Sequence, residues 1–186
     1  MYASGEYIGF MDCDDIIALD MYEKLYNKAI ENDYDIVDCG YYNEEKDLAI
    51  VHTSDNLTGS LNSYKRNELI VSGGYFWSKI FKKSFLDRAG LQFRENCILE
   101  DCETLVYLFA SATSMGNVKE VLYNYKYYPT SLSQNKDPIY YYTNATAAIT
   151  ALYDKISALY NYDEIKISVE YIICHLCTLS VKACLN

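Results

Sequence analysis

Apolar and polar positions alternate with two distinct periods along this chain. Tyr7-Ile8-Gly9-Phe10-Met11 is a short apolar run and predicts a buried strand that ends abruptly at Asp12-Cys13-Asp14-Asp15. Leu19, Tyr22, Leu25, Tyr26, Ala29 and Ile30 then recur at helical spacing and predict a helix over about residues 19–32. Asp20 and Glu23 sit where the positive end of that helix would be. Residues 35–42 predict a second strand, with 48–52 as its hairpin partner, and residues 62–71 a short helix. Gly73-Gly74 marks a break, Phe76 to Phe81 reads as extended or turn-like, and residues 82–89 form a helix that closes at Gly90. Glu100-Asp101 opens a helix with Leu105, Leu108, Phe109 and Ala112 along one face, and residues 118–128 predict a tyrosine-rich strand stopped by Pro129. From about Asp137 the spacing becomes purely helical. Ala145, Ile149, Leu152, Ile156 and Leu159 step by four and three, and Ile165, Val169, Ile172, Leu176 and Leu179 repeat the pattern. The expected class is therefore α/β, with two helices following the mixed body.

Composition narrows the function. The chain has 186 residues, about half of them apolar, enough for one core-forming domain or one with a helical extension. Its net charge of −10 repels phosphate backbones, so no nucleic-acid partner is expected. Tyrosine is abundant, at 21 residues, which suits strands and half-buried surfaces because the ring packs while the hydroxyl stays wet. Seven cysteines without a framework spacing read as reduced thiols, and a cytoplasmic location is expected. The first residues carry Glu6 and lack a basic-then-apolar leader, and the apolar stretch from Ile165 to Val181 is broken by Lys166 and Glu170. Neither a leader nor a membrane span is expected.

Two acidic clusters carry the candidate chemistry. Asp12, Asp14 and Asp15 crowd one turn at the end of a strand, where α/β sheets place ligands. Like charges so close need a cation or a donor network, and oxygen ligands suit Mn²⁺ or Mg²⁺, which also hold phosphates. A solvated acidic turn capping the next helix is the alternative reading. Glu100 and Asp101 stand at a helix start, where the dipole favours the charged form and where they could serve merely as first-turn charges.

Gly5-Glu6-Tyr7-Ile8-Gly9-Phe10-Met11-Asp12-Cys13-Asp14-Asp15 resembles the central signature of family 2 glycosyltransferases. So, in order, do Phe76-Trp77-Ser78-Lys79-Ile80-Phe81-Lys82, the stretch Phe93 to Asp101 ending in Glu100-Asp101, and Val121-Leu122-Tyr123-Asn124-Tyr125-Lys126 through Ser131-Leu132-Ser133. The resemblance implies a partial GT-A fold with flanking helices over residues 1–133 and a helical carboxyl-terminal extension over 134–186. It implies transfer of a sugar, with inversion, from a nucleotide-diphosphate donor to a glycan or lipid-linked acceptor at the cytoplasmic face of the membrane. In its terms Asp14 and Asp12 hold Mn²⁺ or Mg²⁺ and donor, Asp15 supports the turn, and Asp101 is the general base beside Glu100. Lys126, where the family often has Arg, is a donor contact. Trp77 either stacks on an acceptor sugar or belongs to the core. The family's two leading β-α units, which bind the nucleotide base, have no counterpart before Met1. The chain alone is thus expected to be weakly active or inactive, with an exposed sheet edge open to a separate chain or to self-association.

Other readings remain. An aspartate-nucleophile phosphatase would want Thr where Ile16 stands, and a calcium loop would want a turn glycine that is absent. A non-catalytic remnant or binding module would keep the fold without turnover. Cys174-His175-Leu176-Cys177 suggests zinc, with Cys184 as a further ligand, but its helical context favours buried structural thiols.

Overall fold

The computed structural model describes residues 3–128 and 137–185. They divide into two compact units. The first comprises residues up to 65, 74–91 and 112–127; the second comprises 66–73, 92–111 and 128 onward.

The first unit holds a mixed sheet of seven strands: β1 (Tyr7–Gly9), β2 (Ile16–Ile17), β3 (Ile36–Asn43), β4 (Leu48–Ile50), β5 (Gly59–Ser60), β6 (Lys79–Lys82) and β7 (Ser114–Tyr125). The order is β1-β6-β3-β7-β2, with β4 added to β3 and β5 to β7. Among the described residues only β3 and β7 pair in parallel; β6 runs antiparallel to both β1 and β3. Among the described residues β1 therefore ends the strand order, with β6 as its neighbour. The β3–β7 pair slips register around Gly40. A Cβ there would lie 2.9 Å from Val51 and 3.1 Å from the Glu120 carbonyl, so the irregular crossing requires glycine.

Helix α1 (Met21–Glu31) covers one face of this sheet. It buries Met21, Leu25 and Ala29, while Leu19, Tyr22, Tyr26 and Ile30 are exposed. The stripe expected from sequence is thus only half correct: tyrosine and isoleucine share the helical period but lie to the solvent side of the buried line. Helix α2 (Ser63–Ser72) follows, and then α3 (Lys83–Ala89). Gly90 ends α3 in the left-handed conformation (φ 63°), its N–H directed at the Leu86 and Asp87 carbonyls. The stretch expected to be extended or turn-like at 76–81 resolves into a tight 3-10 turn (Phe76–Ser78) and then β6.

Among the described residues the second unit is helical: most of α2, then α4 (Glu100–Ser111), α5 (Pro138–Ile156) and α6 (Tyr162–Leu185). Asp137 caps α5 by accepting from the Ile139 and Tyr140 amides, with Pro138 at the first helical position. The expected apolar lines hold in the main: Ala145, Leu152 and Ile156 on α5, and Ile165, Val169, Ile172 and Leu176 on α6, are buried, while Ile149, Leu159 and Leu179 are half-buried. The helices of residues 134–186 pack with α4. Cys174 and Cys177 are exposed on α6, which corrects the expectation of buried thiols; the intervening Leu176 takes the inward position. The side chain of Cys184, like the Pro129 to Ser133 segment, lies outside the described residues. Among the described residues no helix is long and apolar enough to cross a membrane.

Beneath the sheet of the first unit lies a buried charged pair. The β3–β6 register sets Asp38 opposite Lys79, both fully enclosed. Asp38 accepts from Thr53 Oγ1 at 2.6 Å and Asn117 Nδ2 at 2.7 Å, and Lys79 Nζ donates to the Tyr75 carbonyl at 3.0 Å. Burial raises the Asp38 pKa and lowers that of Lys79, each opposed by the other's charge. His52 stacks on Tyr41 at 5.5 Å; burial, reinforced by Lys79, holds its pKa down at about 4. Folded His52 then stays neutral between its ordinary 6.5 and about 4, while the unfolded chain takes a proton. His52 should therefore subtract stability as pH falls through that window. Unfolding free energies measured from pH 7 to pH 4 should decline less steeply for His52→Phe than for the parent chain.

Candidate active site

The first acidic cluster lies in the first unit, immediately after β1. The strand ends at Gly9, two residues sooner than the apolar run suggests, and Asp12 to Asp15 form a turn closed by the Asp15 N–H on the Asp12 carbonyl at 3.3 Å. The three acids do not share one environment. Asp12 and Asp14 are exposed, whereas Asp15 is 8% exposed and turned inward. Both of its oxygens are engaged: Tyr123 Oη donates to Oδ2 at 2.6 Å, and the Lys126 backbone N–H donates to Oδ1 at 2.8 Å. The Tyr123 oxygen also accepts from the Asp12 N–H at 3.3 Å. One phenol thus ties both ends of the turn.

The sheet brings that phenol to the turn. Residues 16 and 17 form β2, antiparallel to β7 with Ile17 opposite Tyr123, and the Ala18 N–H reaches the Leu122 carbonyl at 2.8 Å. Burial, then the bond to Asp15, raises the Tyr123 pKa, so the phenol stays protonated and acts as a donor. Its ring stacks on Trp77 with centroids 4.2 Å apart. Trp77 is 6% exposed and also packs against Tyr75, Tyr125 and the edge of Tyr41. Of the two roles open to Trp77, the packing favours core: the indole backs the ring that fixes the acidic turn.

Lys126 directs its ammonium to Glu44 Oε1 at 2.8 Å, and that bond lowers the Glu44 pKa. It would reach a diphosphate only by exchanging Glu44 for it. Among the described residues no group of three His, Cys, Asp or Glu side chains converges into a metal cage. The donor set nevertheless fits Mg²⁺ or Mn²⁺ bound jointly with phosphates. Asp12 and Asp14 are two exposed aspartates in one turn, and such ions use one or two protein carboxylates beside substrate oxygens and water. Asp15, with both oxygens occupied, is a support and not a ligand.

The second cluster lies in the second unit, at the start of α4. Asp101 has an exposed residue surface, yet protein crowds its carboxyl and this desolvation raises its pKa. The Cys102 N–H, 2.7 Å from Oδ1, opposes the rise without cancelling it. The expectation that the helix terminus favours the charged form is corrected here, because desolvation outweighs the amide. Glu103, one turn from Glu100, is buried, and its carboxylate receives Arg94 Nε at 2.8 and 3.0 Å. Leu99, directly before Glu100, has φ 68°, a left-handed conformation that costs a branched residue about 1–2 kcal/mol. Sequence reasoning missed Tyr123 and the Arg94–Glu103 pair as fasteners. The spacing of Arg94 before the acidic pair was the available signal for the latter. Ser131 and Ser133 of the fourth motif lie outside the described residues.

Removing one hydroxyl tests the turn. Tyr123→Phe keeps the stack on Trp77 but strips Asp15 of a donor and the Asp12 N–H of its acceptor. We expect a loss of about 1–3 kcal/mol of unfolding free energy, read from denaturant titration. An unchanged midpoint would show that solvent replaces the phenol at no cost.

Comparison with known proteins adds the family. Residues 1–90 match glycosyl transferase family 2. An uncharacterized glycosyltransferase of Bacillus subtilis (strain 168), EpsJ, is 30% identical over 143 residues, covering 71% of this chain and 41% of that protein. The putative glycosyltransferase EpsH of the same organism is 29% identical over 140 residues, covering 71% and 40%. The crystal structure of S. aureus TarS 1-349 in complex with UDP-GlcNAc superposes with a TM-score of 0.71 at 16% identity, covering 91% of this chain and 48% of that one. This likeness shows the fold, the GT-A fold expected from the sequence. The chain spans about two-fifths of the length of these two curated relatives.

Proposed function

This chain belongs to glycosyl transferase family 2, and on that premise we propose that it carries the metal-diphosphate and acceptor-activating parts of a nucleotide-sugar glycosyltransferase. The observation that carries the reading is the split within the acidic turn: one aspartate is spent on structure and two are presented to solvent. TarS, whose fold this chain shares, has been crystallised with UDP-GlcNAc and with UDP, which supports a uridine-diphosphate donor.

In this mechanism Asp14, with Asp12, would hold Mn²⁺ or Mg²⁺ bound jointly with the donor phosphates. The bound ion would supply positive charge for the departing diphosphate. Asp15 and Tyr123 keep the two ligand-bearing residues in one geometry, so less ordering is needed on binding. Asp101 accepts the proton of an acceptor hydroxyl as its oxygen attacks the anomeric carbon. A sugar hydroxyl is a weak nucleophile, and a carboxylate whose pKa is raised by desolvation is a stronger base than an ordinary one. Attack opposite the leaving diphosphate inverts the anomeric centre. The acceptor is a glycan or a lipid-linked saccharide, and the reaction takes place at the cytoplasmic face of a membrane.

Calorimetric titration with UDP, with and without Mn²⁺, tests the first half. Binding should require the metal and fall at least about tenfold in Asp14→Asn, the loss of one charged ligand being worth more than one neutral hydrogen bond. A folded chain that binds UDP equally without Mn²⁺ would refute the assignment of Asp14. For the second half, in an enzyme completed with its nucleotide-binding half, Asp101→Asn should retain UDP binding while sugar transfer, followed as UDP release, drops about a hundredfold or more. Parallel loss of binding and transfer would instead make Asp101 a structural residue.

A further inference from the structure

The peptide leading into α4 is held at three points, and one of them comes from outside the motifs. Ile98 donates its N–H to Asn144 Oδ1 at 3.0 Å, and its carbonyl accepts from Arg94 Nη2 at 3.3 Å. Arg94 is itself fixed by Glu103, whose side chain is 1% exposed. Asn144 lies on α5, 46 residues further along, and is 8% exposed. Its amide nitrogen donates to the Tyr140 carbonyl one turn back at 2.9 Å, which fixes the orientation of the side chain and turns Oδ1 toward Ile98. Ile98 thus has both backbone polar groups engaged by side chains, immediately before the left-handed Leu99. Leu99 in turn begins α4 by accepting the Glu103 N–H at 3.2 Å.

A left-handed leucine persists only where its surroundings over-determine it. Here the over-determination is visible: an ion pair whose carboxylate is buried on one side of Ile98 and a buried amide on the other. If either were released, Leu99 could relax to an ordinary right-handed or extended conformation. The first turn of α4 would then rotate, and Asp101 with it.

We propose that Asn144, together with the Arg94–Glu103 pair, acts as a positioning residue that holds the left-handed start of α4 and thereby aims Asp101. The proposal rests on the reading of Asp101 as the base. It assigns the carboxyl-terminal helices a share in the site, beyond the span matched by the family. It also predicts which changes far along the chain will disturb the acid at residue 101.

The test uses the whole chain and two readouts that need no acceptor. Amide hydrogen exchange at Ile98 should accelerate roughly five- to tenfold in Asn144→Ala, the loss expected for one hydrogen bond, with Leu108 and Leu152 amides unchanged. Asn144→Asp retains an acceptor oxygen but loses the donor to Tyr140 that orients it, so exchange at Ile98 should fall between the parent and Asn144→Ala. Carboxyl titration of Asp101 by carbon NMR, assigned with Asp101→Asn, should move toward the ordinary aspartate value in Asn144→Ala. Ile98 exchange that is unmoved, or acceleration spread equally over α4 and α5, would overturn the proposal, as would an Asp101 titration indifferent to Asn144. Failure of the base assignment would show differently, as full sugar transfer by Asp101→Asn with the exchange pattern intact.

Discussion

Three carboxylates in four residues repel one another, and a tight turn after a strand brings them closer than an open chain would. The repulsion is relieved by making the acids unequal. Asp15 points into the protein and is saturated by a phenol and a backbone amide, which leaves Asp12 and Asp14 on the surface. Much of the first unit is arranged around that asymmetry. The two-residue strand β2 exists to pair with β7 at Tyr123, and Trp77 occupies the space behind the Tyr123 ring. An acceptor-only carboxylate inside a protein needs donors, and a tyrosine whose ionisation is suppressed is a dependable one. The same phenol takes up the Asp12 N–H, so the anchor and the presented residue share one atom.

The aromatic cluster explains why a chain with so much tyrosine folds around so few large aliphatic residues at this point. Tyr75 and Tyr125 lie nearly parallel to Trp77, while Tyr41 meets the same indole edge-on. Such offset and T-shaped contacts add about 0.5–1.5 kcal/mol per pair beyond burial. Lys79, two residues past Trp77, faces the opposite problem. It is buried beside Asp38, and the pair survives because Thr53, Asn117 and the Tyr75 carbonyl satisfy what the two charges leave open. The segment from Tyr75 to Lys79 therefore joins an apolar stack to a buried polar network within a single turn.

Legibility from sequence followed the length and purity of each pattern. The late helices were read largely correctly because Ala145, Leu152 and Ile156, and then Ile165, Val169, Ile172 and Leu176, are apolar at the buried positions that set the period, although Asn144, Ser168 and Ser180 are buried beside them. Helix α1 was half misread because Tyr22 and Tyr26 count as apolar by period yet can stay wet, while Met21 carries the buried line with Leu25 and Ala29. Strands β2 and β5 have two residues each, too few to show any alternation. The acidic clusters were visible as charge. What each acid does was not, because it depends on partners set by strand register: Asp15 meets Tyr123 across 108 residues. The reversed expectation for Asp101 has a similar cause. A helix terminus is a local feature that sequence displays, whereas desolvation is set by what the folded chain packs around the carboxyl.

The two clusters, each considered within its own unit, follow one construction rule. At the first, Asp15 is turned inward onto Tyr123 and Asp14 outward. At the second, Glu103 is turned inward onto Arg94 while Asp101, two residues before it, stays at the surface. In both, an inward acid pays the cost of ordering a segment so that a neighbouring acid can be presented in fixed geometry. The rule has a physical basis. A presented carboxylate cannot be fixed by its own hydrogen bonds without losing the oxygens that ligand or proton transfer requires, so the fixing must come from a residue nearby on the same turn. At the second cluster one Asp101 oxygen takes the Cys102 N–H, so the anchoring falls mainly to Glu103, and the left-handed Leu99 marks how far the chain departs from relaxed geometry to keep that arrangement.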